Sequence, residues 1–174
     1  MHKLLAAECR ALQADSFGVV LAGDLNIARA PIDGHPNLRT FPRQHCVNRA
    51  DFENHFFGKQ VEAAPEPDRE HDNHREHGQG LSKDDEGNID AGLGAMIDTF
   101  RHLHPAERAY TYYPRGKAFG ESCDRVDMIL ISATLQGNLT ESGMHETPRE
   151  RGSSDHVPLY CCLDFQKTGR SKRG

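Results

Sequence analysis

The stretch from Val61 to Asp90 decides which residues of this chain can build a core, because it cannot contribute to one itself. It holds ten acidic residues against three basic ones (Arg69, Arg75 and Lys83), and Pro, Gly and His stand where large apolar side chains would be needed. A segment of that composition buries too little surface to offset the entropy lost on ordering, so it is expected to be a disordered acidic insertion. The other residues carry 18 basic and 16 acidic side chains, so the formal net charge of −5 comes from the insertion and the folding part is not acidic. Within the insertion His71, His74 and His77 recur at every third position. That spacing permits a metal-binding face on a helix, but the neighbouring residues are poor helix formers and no cysteine accompanies them, which favours a solvated low-complexity run.

The remaining composition narrows the class. At 174 residues the chain has the size of one domain. No run approaches the roughly 20 apolar residues of a membrane span, so no membrane partner is expected. The N-terminus meets charge at Lys3 and Glu8, too early for a secretory leader. Five cysteines, an odd number without a CxxC pair, argue against a disulfide scaffold or a zinc ribbon and for a reducing compartment. An intracellular location, nuclear or otherwise, is therefore expected. Residues 166–174 carry four positive charges and read as a flexible basic tail, with a weak nuclear signal or a phosphate contact as the alternative reading. Cys161 and Cys162 are expected to point to opposite faces of a strand.

Periodicity supplies a coarse map. Lys3 to Ala14 has helical spacing. Phe17 to Ala22 is a continuous apolar run that suits a buried strand. Arg29 to Asn48, with three prolines, reads as irregular. Helices are expected over Ala50–Phe57 and Ala95–Leu103, the latter stopped by Pro105. Strands are expected over Ala109–Tyr113, Val126–Ile131 and Val157–Phe165, with Pro158 marking a strand start or an edge. Helices and strands alternate without a regular βαβ rhythm, which points to an α+β or mixed-sheet layered fold.

Three polar groups at strand ends are the candidates for chemistry. Gly23-Asp24-Leu25-Asn26 follows the first strand, and two positions apart in extended chain place Asp24 and Asn26 on one side. Asp24 can take a proton from water or bind a metal, with Asn26 holding the water or a phosphate oxygen; an Asx turn that merely closes the strand is the alternative. Arg125-Val126-Asp127 puts a cation and a carboxylate on one side of a strand, which a surface ion pair would also explain. Ser154-Asp155-His156 places an acid and an imidazole at the mouth of the last strand, able to bind a divalent metal or to face a phosphate.

Taken together with Ile32-Asp33, the stretch Asp98-Thr99-Phe100-Arg101-His102-Leu103-His104-Pro105 and Ala109-Tyr110-Thr111-Tyr112-Tyr113, these groups resemble the exonuclease III and AP endonuclease branch of the endonuclease/exonuclease/phosphatase superfamily. The resemblance runs from about Phe17 to Leu163, apart from the acidic insertion. It implies a DNase I-like, four-layered α/β/β/α sandwich, of which residues 1–165 look like the C-terminal half only. It implies a Mg²⁺-dependent nuclease, with Mn²⁺ as a substitute, acting on double-stranded DNA at abasic sites or damaged 3′ ends. Carried over by position, Asp24, Asn26, Asp127 and His156 are the catalytic candidates. Asp24, Asn26, Asp155 and His156 are the metal candidates, and Tyr112 and Tyr113 are expected against the substrate sugar. The N-terminal half would bring an Asn, a metal-binding Glu and a Tyr that have no counterpart before Asp24, so the chain is expected to be an incomplete catalytic domain with an exposed sheet face. The same fold acting on lipid or inositol phosphates, and a non-catalytic nucleic-acid-binding remnant, are the alternatives.

Overall fold

A computed structural model describes residues 2–58, 95–145 and 147–166. The acidic insertion with its three histidines and the basic tail beyond Gln166 lie outside the described residues. The first helix, α1 (His2–Ala14), turns Ala6 and Cys9 inward. It packs on α2 (Gln44–Phe57), which buries Phe52 and Phe56 with ring centroids 4.8 Å apart. Gly58 ends α2 in the left-handed region at φ 63°, where a residue without a Cβ pays no steric penalty.

Beside the helix pair lies an antiparallel sheet of β1 (Val20–Asp24), β5 (Asp127–Ser132) and β3 (Met96–Asp98), with β5 in the middle. Every residue of β5 is buried, as its Asp-Met-Ile-Leu-Ile-Ser sequence between two partners would suggest. Met128 and Leu130 join the helix residues in one core. The register sets Leu21 opposite Leu130 and, at the far end, Asp24 opposite Asp127. On β1 the edge is open: Val20 is 50% exposed and Phe17, just before it, 60%. The short strands β2 (Gly34–His35) and β4 (Cys123–Asp124) pair with each other. The short helix α3 (Thr99–Leu103) packs on β5 and on the hairpin of β6 (Leu139–Met144) and β7 (Leu159–Leu163), while α4 (Pro148–Arg151) lies between those two strands in sequence.

Several sequence expectations shift. The helix expected over Ala95–Leu103 is a strand for its first part, because Met96 and Ile97 pair with Ser132 and Ile131. Only then does Asp98, accepting from the Arg101 backbone N–H at 3.1 Å, cap α3. Ala109–Tyr113 does not form a strand; Tyr112 alone bridges Asp124 and His156. α2 starts at Gln44, inside the stretch read as irregular and six positions before Ala50. β1 begins at Val20 rather than Phe17 and reaches Asp24. β7 spans Leu159–Leu163, just past Pro158, with Cys161 half-buried and Cys162 exposed. All five cysteines are free thiols. Among the described residues no helix is long and apolar enough to cross a membrane.

Arg125 departs most from its sequence reading. It is not the cationic half of a surface pair with Asp127 but is fully buried. Its Nε donates to Asp33 Oδ1 at 2.7 Å, and its two terminal nitrogens donate to the carboxylate of Asp98 at 2.7 and 3.2 Å. Arg101 donates to the same Asp33 oxygen at 2.6 Å, while Arg29 joins Asp98 at 3.1 Å to Glu53 on α2. Three guanidiniums thus meet three carboxylates. Burial alone would raise the Asp33 pKa, yet the hydrogen bonds and charges of Arg125 and Arg101 outweigh it and hold the carboxyl below its usual range. The same balance holds Arg125 firmly charged: burial opposes the charge, and Asp98 and Asp33 more than compensate.

Arg125→Met therefore leaves two buried carboxylates short of their partner and should cost about 3–5 kcal/mol of stability, read from urea unfolding. An unchanged midpoint would show that the network is dispensable. Asp33 is held ionised more strongly in the folded state than in the unfolded chain, so its stabilisation is full above the unfolded aspartate pKa of about 3.9 and is lost as pH falls through the lower folded value. Urea midpoints measured from pH 7 downward should thus hold level for this contribution until about pH 4 and then fall. In Asp33→Asn that part of the acid dependence should be absent.

Candidate active site

At the open end of the sheet the backbone turns sharply. Gly23 has φ 152° and Asn26 φ 54°, the latter a left-handed conformation that Asn adopts more readily than most residues. The turn makes Asp24 accept from the Asn26 backbone N–H at 2.9 Å and from its side-chain amide at 3.2 Å. The Asx turn expected as the alternative reading of Asp24 is thus formed, and it holds an exposed carboxylate at the end of β1. Opposite it, Asp127 opens β5. The backbone N–H groups of Val126 and Asp127 both donate to the hydroxyl of the fully buried Thr111 at 3.0 Å, which ties the strand entrance to the Tyr112 segment.

His156 completes the group. Its Nδ1 lies 2.8 Å from Asp127 Oδ2. An ionised carboxylate only accepts, so Nδ1 is the donor in this contact and Asp127 does not engage Nε2. Ligand atoms of Asp24, Asp127 and His156 all lie within 4.8 Å of one another. Two carboxylates at that spacing fit a hard divalent cation, with Asp127 also engaged by the imidazole.

Asp155 stands apart from the three. Its carboxylate lies 3.6 Å from Arg115, and its backbone oxygen accepts from the Tyr113 N–H at 2.7 Å. The two tyrosines also separate, as adjacent residues of extended chain point to opposite sides. Tyr112 has its ring 5.0 Å from that of His156. Tyr113 is buried instead, stacked on Phe119 at 4.2 Å beside a second hollow bordered by Arg115, Lys117 and Arg151.

A cavity of about 200 Å³ adjoins His156. Asn26, Tyr112 and His156 form its near side, and Arg39, His45, Arg49 and Asp124 also line it. Burial pushes the Asp124 carboxyl upward against the opposing pull of Arg39, which lies 2.7 Å away, and of His45 and Arg49. The sequence reading missed this basic lining. Its available signal was the clustering of Arg39, Arg43 and His45 in the stretch set aside as irregular, with Arg49 just beyond its end.

No protein-family model and no curated protein matches the sequence. Solved structures do match. A 3′ phosphatase from Neisseria bound to a product DNA hairpin aligns at 23% identity and TM-score 0.59 over 92% of this chain. An AP endonuclease from Archaeoglobus fulgidus aligns at 21% and 0.57 over 93%, and the Xenopus laevis APE2 catalytic domain at 20% and 0.59 over 94%. The fold is that of the AP endonuclease and exonuclease III-like structures. The chain spans about half the length of those it matches, 51%, 53% and 43% respectively. Within this AP endonuclease fold the cluster of Asp24, Asp127 and His156 sits at one end of the β1–β5 pair, where two strand termini and the loop before β7 meet.

If Asp24 and Asp127 hold a cation between them, Mn²⁺ titration followed by electron paramagnetic resonance should show at least tenfold weaker binding in Asp24→Asn and in Asp127→Asn. Wild-type affinity in both variants would place the ion elsewhere.

Proposed function

We propose that this chain carries the water-activating and phosphate-facing part of a divalent-metal-dependent phosphodiesterase that acts on DNA. The observation that carries the reading is the convergence of Asp24, Asp127 and His156 at one rim beside a cavity. The fold likeness to DNA-acting enzymes supports it.

In this reading Asp24, fixed by Asn26, orients the attacking water and takes its proton. Asn26 stands beside it, with its side-chain amide already committed to Asp24. Asp127 holds the His156 ring in the tautomer that presents Nε2 to the scissile phosphate, and the pair stabilises charge developing on the phosphate oxygens. Mg²⁺, or Mn²⁺ in its place, held by the carboxylates of Asp24 and Asp127, would supply further positive charge at the phosphate. Tyr112, its ring 5.0 Å from that of His156, lines the cavity and supplies an apolar surface for the sugar or fragment attached to that phosphate. Tyr113, buried against Phe119 at the separate hollow with Arg115 and Arg151, has no part in this contact.

The substrate is double-stranded DNA with abasic sites or damaged 3′ ends. Binding goes mainly through backbone phosphates, so it is salt-dependent and carries little sequence preference. Location in the nucleus or another intracellular compartment follows from the same reading. The relatives extend over about twice this length, and the groups their further half contributes are needed for full activity.

The purified chain, incubated with Mg²⁺ and an abasic duplex, is thus expected to incise very weakly or not at all. It should nevertheless bind the duplex, with affinity at least tenfold lower in His156→Gln. Robust Mg²⁺-dependent incision abolished by Asp24→Ala would contradict the half-site account. Tighter binding and hydrolysis of inositol phosphates would contradict the choice of DNA, and duplex binding indifferent to His156→Gln would favour a non-catalytic remnant.

A further inference from the structure

The loop between Tyr113 and Cys123 builds the second hollow, away from the cavity, because Tyr112 and Tyr113 point to opposite sides of the chain. A turn closes the tip of that loop. The Ala118 backbone N–H donates to the Glu121 carboxylate at 3.1 Å, and the Glu121 N–H donates to the Ala118 carbonyl at 3.0 Å. Gly120 completes the turn at φ 82°, a value that a side chain would strain. The turn lays Phe119 flat on Tyr113, with ring centroids 4.2 Å apart and 10° between the planes. Tyr113 is buried beneath, while Phe119 stays 46% exposed. An exposed ring held flat by its neighbour is a platform prepared for another planar group.

The charge around this platform has one sign. The hollow has a volume of about 390 Å³, within the roughly 300–1,000 Å³ of small-molecule sites. Arg115, Lys117 and Arg151 line it, and no carboxylate of the described residues does. Asp155 and Glu121, 3.6 and 3.7 Å from Arg115 and Lys117, stand outside the lining, and such exposed pairs hold their cations weakly. Arg151 is short of acceptors. Among the described residues its guanidinium makes one hydrogen bond, from Nη1 to the Ser154 carbonyl at 2.5 Å, and its buried Nε has no partner. The group lies 5.5 Å from the Phe119 centroid and 5.8 Å from that of Tyr113. Buried donors are nearly always satisfied, so the shortfall at Arg151 marks a place for an acceptor from outside the chain.

We infer that this hollow binds a nucleotide, with its phosphate on the three cations and its base on Phe119. A phosphate dianion answers three cations better than a carboxylate does, and the guanidinium fork matches its oxygens through paired, charge-assisted hydrogen bonds. An aromatic platform in a basic groove holds a nucleotide by stacking and charge, whatever its base. Two sources offer this chemistry, a free mononucleotide and an unpaired nucleotide of a nucleic-acid strand. The site is distinct from the one in the phosphodiesterase reading, since none of Asp24, Asp127 and His156 lines it.

The sequence contains no tryptophan, so Phe119→Trp supplies a single fluorescent probe at the platform. In the 174-residue chain without divalent metal, adenosine 5′-monophosphate should quench that fluorescence. By calorimetry on the unsubstituted chain it should bind at least tenfold tighter than adenosine, which lacks the phosphate, and than ribose 5-phosphate, which lacks the base. Arg151→Gln should weaken it tenfold or more. Phe119→Leu should weaken it several-fold and leave ribose 5-phosphate unchanged, a split that misfolding does not produce. His156→Gln should have no effect. A short single strand of deoxyadenosine that displaces the monophosphate and binds at least tenfold tighter would support the site with a strand as its source. Weaker or equal binding of the strand would support it with the free mononucleotide. Binding lost in His156→Gln but kept in Arg151→Gln would overturn the inference, because the nucleotide would then sit at the catalytic group. No measurable binding, or tighter binding of O-phosphotyrosine than of the monophosphate, would also overturn it and leave the phosphodiesterase reading standing.

Discussion

Arg125 links three pieces of chain that are far apart in sequence. Its guanidinium binds Asp33 in the turn after β1 and Asp98 at the end of β3, and two residues later Asp127 begins β5. A buried cation without partners is prohibitively costly, and one with several partners at fixed angles admits few arrangements. Where Arg125 is satisfied, the entrance to β5 is fixed. The Thr111 hydroxyl then takes the next two backbone N–H groups. Asp127 is left opposite Asp24 with its carboxylate at the rim rather than in the core. A one-residue slip of β5 would turn Asp127 to the other face and break the Arg125 contacts together.

This scaffold accounts for the different surroundings of the three site groups. Asp24 is exposed and, among the described residues, its side chain is held by its own turn, so it is open to water and to a cation. Asp127 is buried and committed to the imidazole. His156 is half-buried, anchored on one side by Asp127 and bordered on the other by the Tyr112 ring and the basic cavity. A carboxylate–imidazole pair next to an exposed carboxylate held by its own turn is the division of roles that the proposed phosphodiester hydrolysis would use, since the water must be oriented while the phosphate gathers charge.

The sequence picked out the side chains that cluster better than it did the scaffold that holds them. Asp24, Asp127 and His156 stood out because polar residues at the ends of apolar runs have few purely structural explanations, and the structure brings their side chains together. Asp155 was legible as a neighbour of His156, but its side chain faces Arg115, a long-range contact that no local pattern announces. The role of Arg125 was hidden for the same reason: two-residue alternation placed it beside Asp127, whereas its partners lie 92 and 27 residues away. The strand at Met96–Asp98 was masked by helical spacing that holds only from Thr99 onward, and pairing with β5 overrode it. β6, with Thr, Glu, Ser and Gly in its middle, carries no alternating apolar pattern and takes its conformation from β7. The basic cavity was missed because Arg39, His45 and Arg49 meet Asp124 only once the segment after β1 has folded back onto β4.

The most direct test of the convergence is the protonation of the His156 ring, read from long-range ¹H–¹⁵N correlation spectra of the histidine side chains. Held by Asp127, the neutral ring should carry its proton on Nδ1 and leave Nε2 bare, and Asp127→Asn should abolish that preference. A ring protonated mainly on Nε2, with a spectrum indifferent to Asp127→Asn, would mean that the two side chains do not meet and that the site described above does not exist.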